Sequence, residues 1–359
     1  MIIETEQEYK DFAGINQSRL KLIQIPTLFV NKKETNEDDG EAEHFTFGTY
    51  VDELLYKTEE EIQDKYFVLN AGVKSPPEGP KKIIEDLIKA TPGSMSPLDD
   101  YVDLIHRISI INQTYTTFKR ETVFDKVNAY SDYYYSLRAV DGKIVITPQQ
   151  KDVAIYYKNL FETDSRFKQF YYDSNTTEVK TKVRLGNDLK VNGVNISVKG
   201  ELDRLLIDHE NKTWRNVDDK TSFNPSEYFK TIVKYRYDFQ AAFYSFLVSM
   251  NLKELGLEGY TQSKDHGVSY STLVFMNSGF KNIPEVVNIP QIYGECSYYA
   301  PNGMYYMGYK EALLKYCDHR DREDFNSSHN MLINGFNKFE LSDGKLSFER
   351  FENVKIEVL

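Results

Sequence analysis

Three charged residues stand where they could act together on a phosphate. Asp203, Asp218 and Lys220 lie in a stretch that reads as a hairpin, with Val194 to Asp208 outgoing, His209 to Lys212 as a tight loop and Thr213 to Ser222 returning. If the loop turns about residues 210 and 211, Asp203 falls opposite Asp218 across the ladder. Like charges so placed destabilise a sheet, and a divalent cation held by carboxylate oxygens offsets that cost. Lys220, two residues beyond Asp218, projects from the same face. Two carboxylates and an ammonium around a metal suit phosphodiester hydrolysis, the metal polarising the phosphate and the lysine orienting or activating water. On charge alone, removing either carboxylate relieves repulsion in the metal-free protein, so neither Asp203→Ala nor Asp218→Ala should lower the melting temperature. Aspartate-rich hairpins are also common on surfaces, and a β-bulge near the pair would break the register. Both alternatives stay open at this level.

The helix that follows carries Gln240 and Tyr244 one turn apart on one face. Taken together, Gly200-x-x-Asp203, Asp218-x-Lys220 and Gln240-x-x-x-Tyr244 resemble the PD-(D/E)XK nuclease superfamily, specifically its RecB-like branch. Nearer the N-terminus, Phe47-Gly48-Thr49-Tyr50-Val51-Asp52-Glu53-Leu54-Leu55 is similar to the Gly-Thr-x-x-His-x-Leu-Leu helix of phage and prophage exonuclease VIII-type (RecE-like) proteins. Asp52 stands where that group carries a metal-site histidine. Glu178 resembles the glutamate that opens the first core strand of the group. The resemblance covers most of residues 45–320 and is densest over 178–244; it does not extend to 81–147 or past 335.

The resemblance implies an α+β (α/β) fold with a restriction-endonuclease-like core, a mixed β-sheet flanked by helices, and a helical N-terminal part. It implies a catalytic set of Asp203, Asp218, Lys220 and Glu178. Magnesium or manganese would be held by Asp203, Asp218 and Asp52, with Asp219 giving its backbone carbonyl because alternation sends its side chain to the opposite face. Lys220 would position water and stabilise the pentavalent phosphate. Gln240 and Tyr244 would hold the helix against the site and touch the DNA end, or serve ordinary helix packing. The implied activity is that of a metal-dependent deoxyribonuclease, a 5′→3′ exonuclease resecting duplex DNA ends for phage-type recombination. Its implied partners are duplex DNA, a single-strand annealing protein and further copies of itself in a ring. Other readings are a catalytically silent DNA-binding protein of the same fold, consistent with Asp52 in place of histidine, an endonuclease, or a nuclease acting on RNA.

The elements that must position these residues follow from periodicity and punctuation. Helical patterns run over 47–67, 81–90, 98–115 and 148–172, the last opened by Thr147-Pro148 as N-cap and first helical residue. Breaks fall at 36–40, 74–80 and 91–97, where Pro and Gly cluster or acids crowd a glycine. Strands are expected from Glu178 to Leu185 and from Tyr270 to Phe275, with turns at Asn187 and at Asn192-Gly193. A long helix is expected from Tyr228 to Asn251, and mostly helix from Met304 to Leu332. The boundaries drawn from this and the resemblance together are a mainly helical region over 1–147, a core over 148–335 and a tail over 336–359. The resemblance brings the helix at about 47–67 to the active site and makes 148–335 the nuclease core.

The 359 residues, 40% hydrophobic with 22 Phe and 27 Tyr, suit a folded chain with a large core rather than a solvated coil. The net charge of −11 is concentrated in residues 1–100, with 11 Lys+Arg against 21 Asp+Glu, whereas residues 178–240 hold 12 basic and 10 acidic. The acidic average therefore does not veto a nucleic-acid partner. Cys296 and Cys317 cannot form a four-thiolate cluster, which excludes an iron–sulfur centre of that kind. No Walker loop and no Gly-x-Ser-x-Gly elbow is present, so neither a nucleotide cofactor nor serine hydrolase chemistry is expected. The longest apolar-leaning run without charge, 239–252, is too short to span a bilayer, and the N-terminus is acidic. The expected compartment is the cytoplasm, that of the host if the protein is phage-encoded. The Tyr298-Tyr299 and Tyr305-Tyr306 pairs are expected to pack rather than to stack on bases.

Overall fold

A computed structural model describes residues 1–24, 43–70, 72–90, 109, 120–138, 140, 142–222, 227–299, 304–320, 348–349 and 356–358. Short capped helices open the chain. In α1 (Glu6–Asp11) Thr5 and Glu8 form a reciprocal capping box, and α2 (Gln17–Lys21) is capped by Asn16. Next come α3 (Glu43–Tyr56), α4 (Glu59–Lys65), β1 (Tyr66–Val68), α5 (Glu78–Ala90), α6 (Arg120–Asn128), α7 (Ser131–Arg138) and β2 (Ile144–Ile146). Two more helices, α8 (Pro148–Thr163) and α9 (Ser165–Lys168), lead to three long strands: β3 (Thr177–Val191), β4 (Val194–Asp208) and β5 (Thr213–Ser222). Then follow α10 (Tyr228–Tyr235), α11 (Tyr237–Met250), β6 (Thr261–Gln262), β7 (Lys264–Asp265), β8 (Val268–Asn277) and β9 (Glu285–Pro290). The chain closes with α12 (Ile292–Glu295), β10 (Ser297–Tyr299), β11 (Tyr305–Tyr306), α13 (Tyr309–Arg320), β12 (Phe348–Glu349) and β13 (Ile356–Val358). The fold is α+β with a mixed sheet. Among the described residues no helix is long and apolar enough to cross a membrane.

The chain divides into two compact units. The larger comprises Met1–His44, Asn159–Asn277 and Lys281–Leu359. Its sheet runs β13-β3-β4-β5-β8-β7, with β9 also on β8 and β6 on β5. The β3–β4–β5 meander is antiparallel, whereas β5 and β8 are parallel and connected through α10 and α11. Asn192 and Gly193, both left-handed (φ 47° and 91°), make the two-residue turn that joins β3 to β4 with a twist matching the strands. The next turn is tied by Asp208, whose Oδ1 accepts the backbone N–H groups of Glu210 and Asn211 at 3.0 and 2.9 Å. One face of the sheet buries against α11: Phe239, Phe243, Leu247 and Val248 share a core with Val183, Leu185, Val198, Leu202, Leu205 and Trp214.

The smaller unit comprises Phe45–Lys158 and Ser278–Phe280. The parallel pair β1–β2 aligns Tyr66 with Ile144, and a separate core gathers Leu69, Ile84, Leu87, Val127, Tyr133 and Tyr134. Ser278–Phe280 joins this unit through Gln149 Nε2 to the Gly279 carbonyl (2.8 Å) and the Tyr157 hydroxyl to the Phe280 carbonyl (3.3 Å).

Several elements differ from the sequence reading, each for a local reason. The expected 47–67 helix ends at Tyr56 and restarts after Thr58, whose side chain caps α4 in a capping box with Glu61. The 148–172 helix restarts likewise at the Asp164 cap, while its start is as expected, with Thr147 and Gln150 capping each other. The helix read over 228–251 is broken at Arg236, which is left-handed (φ 55°). Asn187 is no turn but a buried β3 residue, its Oδ1 taken by Asn251 Nδ2 at 2.6 Å. Of 304–332, Tyr305–Tyr306 is strand and Tyr309–Arg320 is helix; 321–332 and the whole 98–115 helix apart from Ser109 lie outside the described residues. The compact units also cut the chain elsewhere than at 147 and 335. Ile2 bridges Leu185 and Ile15 bridges Val198, which draws the first residues into the sheet unit, and Ile356–Val358 pairs with β3 rather than trailing as a tail.

Candidate active site

Strand β5 alternates. Trp214, Asn216, Asp218 and Lys220 face α11, and the intervening residues face away. Asn216 donates to the Ala241 carbonyl (3.3 Å) and accepts from Ser245 (2.9 Å), fixing the helix over the strand. One turn earlier on α11, Gln240 Nε2 donates to Asp218 Oδ1 at 3.1 Å. Lys220 Nζ contacts Asp218 Oδ2 and sits 4.5 Å from the centre of the Tyr237 ring. Asp218 Oδ2 is buried and, although Lys220 is close, receives no properly aimed hydrogen bond. Tyr244 lies above Gly200, where an added Cβ would come within 3.0 Å of its ring and 2.6 Å of Leu247. That close approach gives the glycine of the Gly200-x-x-Asp203 motif its physical reason.

The predicted register holds up to the carboxylates and stops there. Thr213 pairs with Asp208 and Val217 with Arg204, as the turn arithmetic requires, but Asp203 and Asp218 are not bridged. From Asp218 onward β5 pairs only with β8, Asp218 lying beside Leu273. The strands part at the pair itself, and the Asp219 N–H is taken by the Asp203 carboxylate (Oδ2, 3.0 Å). β4 also changes phase here. Ile196, Val198 and Leu202 face the α11 core, and after Asp203 it is Leu205 and Ile207 that do so. Leu202 and Asp203 thus turn to one side in succession, and the charge of Asp203 acts on Asp218, Lys220 and Tyr244.

The neighbouring strand bends at the same level. Lys182, opposite Asp203 in β3, is left-handed (φ 48°), a conformation that costs a non-glycine residue about 1 kcal/mol or more. Its Nζ lies 3.2 Å from Asp203 Oδ1. The site therefore has two ammonium groups beside its two carboxylates. Sequence reasoning did not single out Lys182, because alternation marks which face a lysine takes but carries no sign of a left-handed backbone. Lys21 of α2, with Nζ 3.0 Å from the Tyr235 carbonyl, was missed too. Burial, then the charges of Lys220 and Arg236, bring it down to about 8.

These surroundings push the two carboxyls apart. Burial would raise both. For Asp203 it is outweighed by Lys182, Lys220 and Arg204 and by the Asp219 N–H, so this group is held below the usual carboxylate range. For Asp218, burial and the charge of Asp203 prevail over Lys220, so it is raised. Burial lowers Lys220, but Asp218, Tyr237 and Asp203 more than compensate, and it remains an ammonium. Tyr244 is raised well above its ordinary value, by burial first and then by Asp218.

Asp219 points the other way, as alternation requires. It pairs with the buried Arg204 and accepts from the Tyr171 hydroxyl at 2.9 Å. The Arg204 guanidinium lies 4.0 Å from the Tyr171 ring centre, and Tyr171 stacks on Phe161 at 4.0 Å. Of the Asp219 groups, only the backbone is left for the Asp218 side.

Glu178 is not brought to this cluster. It pairs with Ile207, four positions along the ladder from Asp203 and so about 13 Å away. Its carboxylate meets His209 at 3.3 Å and Lys180 at 3.5 Å. Asp52 lies half-buried on α3 of the smaller unit, beside Glu53, which binds Lys57, Lys65 and Tyr66. The tyrosine pairs pack on each other, Tyr298 on Tyr306 (5.2 Å) and Tyr299 on Tyr305 (4.9 Å).

Hard oxygen donors held together against their own repulsion, one of them buried without a well-aimed donor, fit a magnesium-like cation. Such a cation commonly takes one or two carboxylates and completes its shell with water. Among the described residues no group of three or more His, Cys, Asp or Glu side chains gathers to hold a metal, so Asp203 and Asp218 would supply the side-chain ligands. A scan against models of protein families finds no match for the chain, and no curated protein matches it either.

Proposed function

We propose that the chain is a metal-dependent deoxyribonuclease, a 5′→3′ exonuclease acting on duplex DNA ends in the cytoplasm. The observation that carries this reading is the gathering of Asp203, Asp218 and Lys220 at the point where β4 and β5 separate. Asp203 and Asp218 would hold magnesium or manganese, with the Asp219 backbone carbonyl beside them; the bound ion supplies Lewis-acid activation of the phosphate. Lys220, kept protonated by its neighbours, donates to a phosphate oxygen and stabilises the charge that grows there. Gln240 fixes the Asp218 carboxyl through Oδ1, leaving Oδ2 directed at Lys220. Tyr244 closes the cluster from the α11 side.

Glu178 lies outside the cluster proposed to act, and Asp52 enters only through its likeness to the family helix. A single-strand annealing protein and assembly into a ring belong to the same proposal and rest on that resemblance. Purified protein with magnesium should degrade end-labelled linear duplex, release label from the 5′ end first and spare closed circular DNA. Cleavage of the circle would make it an endonuclease. Binding of DNA without cleavage of either form under magnesium or manganese would make it a silent binding protein.

A further inference from the structure

The break between α10 and α11 puts two aromatic rings where a continuous helix could not. Residues two apart on a helix point to opposite sides. Arg236, left-handed between Tyr235 and Tyr237, removes that constraint, and the two rings stack with centres 5.7 Å apart and planes at 24°. The kink is secured. Arg236 Nε meets Asp238 at 3.1 Å, and its Nη2 donates to the Met307 carbonyl at 2.8 Å. A non-glycine residue held this way stores strain, which the surroundings must over-determine.

The rings form a column leading out of the active site. Lys220 lies over Tyr237, Tyr237 is half-buried, and Tyr235 stacks on it with 44% of its surface exposed. Cations flank the outer ring. Lys234 Nζ lies over the Tyr235 ring, 5.1 Å from its centre, and Lys21 Nζ binds the Tyr235 carbonyl. An exposed ring with one ammonium over it on a flexible side chain and a second at its backbone carbonyl suits a nucleobase between phosphates. A base can displace Lys234 from the ring, stacking accepts any base, and the lysines take the backbone charge.

We infer that Tyr235, stacked on Tyr237, is a platform for an unpaired base of the strand whose phosphate lies at Lys220. The inference rests on the nuclease reading above and names how that site holds its substrate. A single strand is the occupant because a base paired within a duplex has its faces already covered. The platform would favour a frayed end over the interior of a duplex.

The test uses an oligonucleotide carrying 2-aminopurine at its 5′ end, as a single strand and as a duplex with a frayed end, in EDTA so that nothing is cleaved. Wild type should quench the probe on binding. Tyr235→Phe, which keeps the ring, should do the same. Tyr235→Ala should lose the quench and bind the single strand about ten-fold more weakly. If wild type degrades DNA with magnesium yet Tyr235→Ala retains both quench and affinity, the platform is overturned and the nuclease reading stands. If wild type neither binds nor degrades DNA, the nuclease reading falls and the platform with it.

Discussion

Asp203 and Asp218 carry the same charge, yet replacing each with asparagine should move stability in opposite directions. Asp203 is ionised and well supplied, with Lys182 on Oδ1 and the Asp219 N–H on Oδ2. Asparagine turns an NH2 group toward one of those donors and removes the charge that Lys182 and Lys220 answer. A carboxyl held below its ordinary value by these donors contributes to stability at neutral pH, and replacing a buried charged acceptor costs about 1–3 kcal/mol, so Asp203→Asn should cost about that much. Asp218 is raised to about 7 by burial and by Asp203, so ionising it opposes folding. Asparagine keeps the acceptor that Gln240 needs. Its gain is limited to about 1 kcal/mol because Lys220 loses its nearest counter-charge. The pH dependence separates the two. With its folded value raised, Asp218 confers its full stability below its unfolded value near 4, and that stability is lost as pH rises toward about 7. The advantage of Asp218→Asn should therefore vanish near pH 4 and be complete just above 7. Asp203, with a lowered folded value, contributes above about pH 4 and loses that contribution as pH falls toward about 2, so Asp203→Asn should be impaired throughout the neutral range. Thermal unfolding in EDTA is the assay, with a fall of about 5 °C expected for Asp203→Asn and a rise of about 2 °C for Asp218→Asn near pH 7.5. Shifts of the same sign, or an Asp218→Asn effect that ignores pH, would refute the electrostatic assignment. The charge count alone, which expects no loss from either change, gives a different answer for Asp203.

Magnesium or manganese should raise the melting temperature of wild type progressively across a millimolar titration and leave Asp218→Asn nearly unmoved, since only the folded site binds the ion; an equal rise in both proteins would remove Asp218 from the ligand set. Gly200→Ala should cost about 1–3 kcal/mol, because the new Cβ meets Leu247 at 2.6 Å and the Tyr244 ring at 3.0 Å. An unchanged unfolding midpoint would show that α11 yields there at no cost. Arg204→Met leaves Asp219 buried with only Tyr171 and should cost about 3–5 kcal/mol, and adding Asp219→Asn should recover a large part. If the double variant is no better than the single by denaturant unfolding, the buried pair is not the source of the loss.

How far these features could be read from residue order depends on how far apart the interacting residues lie. The bounds of β4 and β5 emerge as expected, because a four-residue loop tied by Asp208 and strict alternation on β5 are local, and the same few residues set the register from Asp208–Thr213 as far as Arg204–Val217, one pair short of the carboxylates. The additions to the sheet from Ile2, Ile15 and Ile356–Val358 are not local. A bridge between Ile2 and Leu185 leaves no periodic trace in either segment. The two backbone reversals at Lys182 and Arg236 also carry no turn residue, since neither is Gly, Asn or Asp.

The unsignalled reversal at Lys182 is what turns the carboxylate pair into an asymmetric one. Had β3 run on regularly through Lys182, nothing in the meander would have required an ammonium at Asp203 Oδ1. Asp203 and Asp218 would then have shared Lys220 more evenly, with burial raising both. The bend at Lys182 and the end of the β4–β5 ladder at Arg204 supply Asp203 with two donors and leave Asp218 with an imperfectly satisfied oxygen. One carboxylate thus stays ionised, while the other is held near the point where it gives up a proton at neutral pH. Sequence spacing can place two aspartates together, but which of them keeps its charge is decided by a lysine from a third strand, through a backbone angle that composition does not announce.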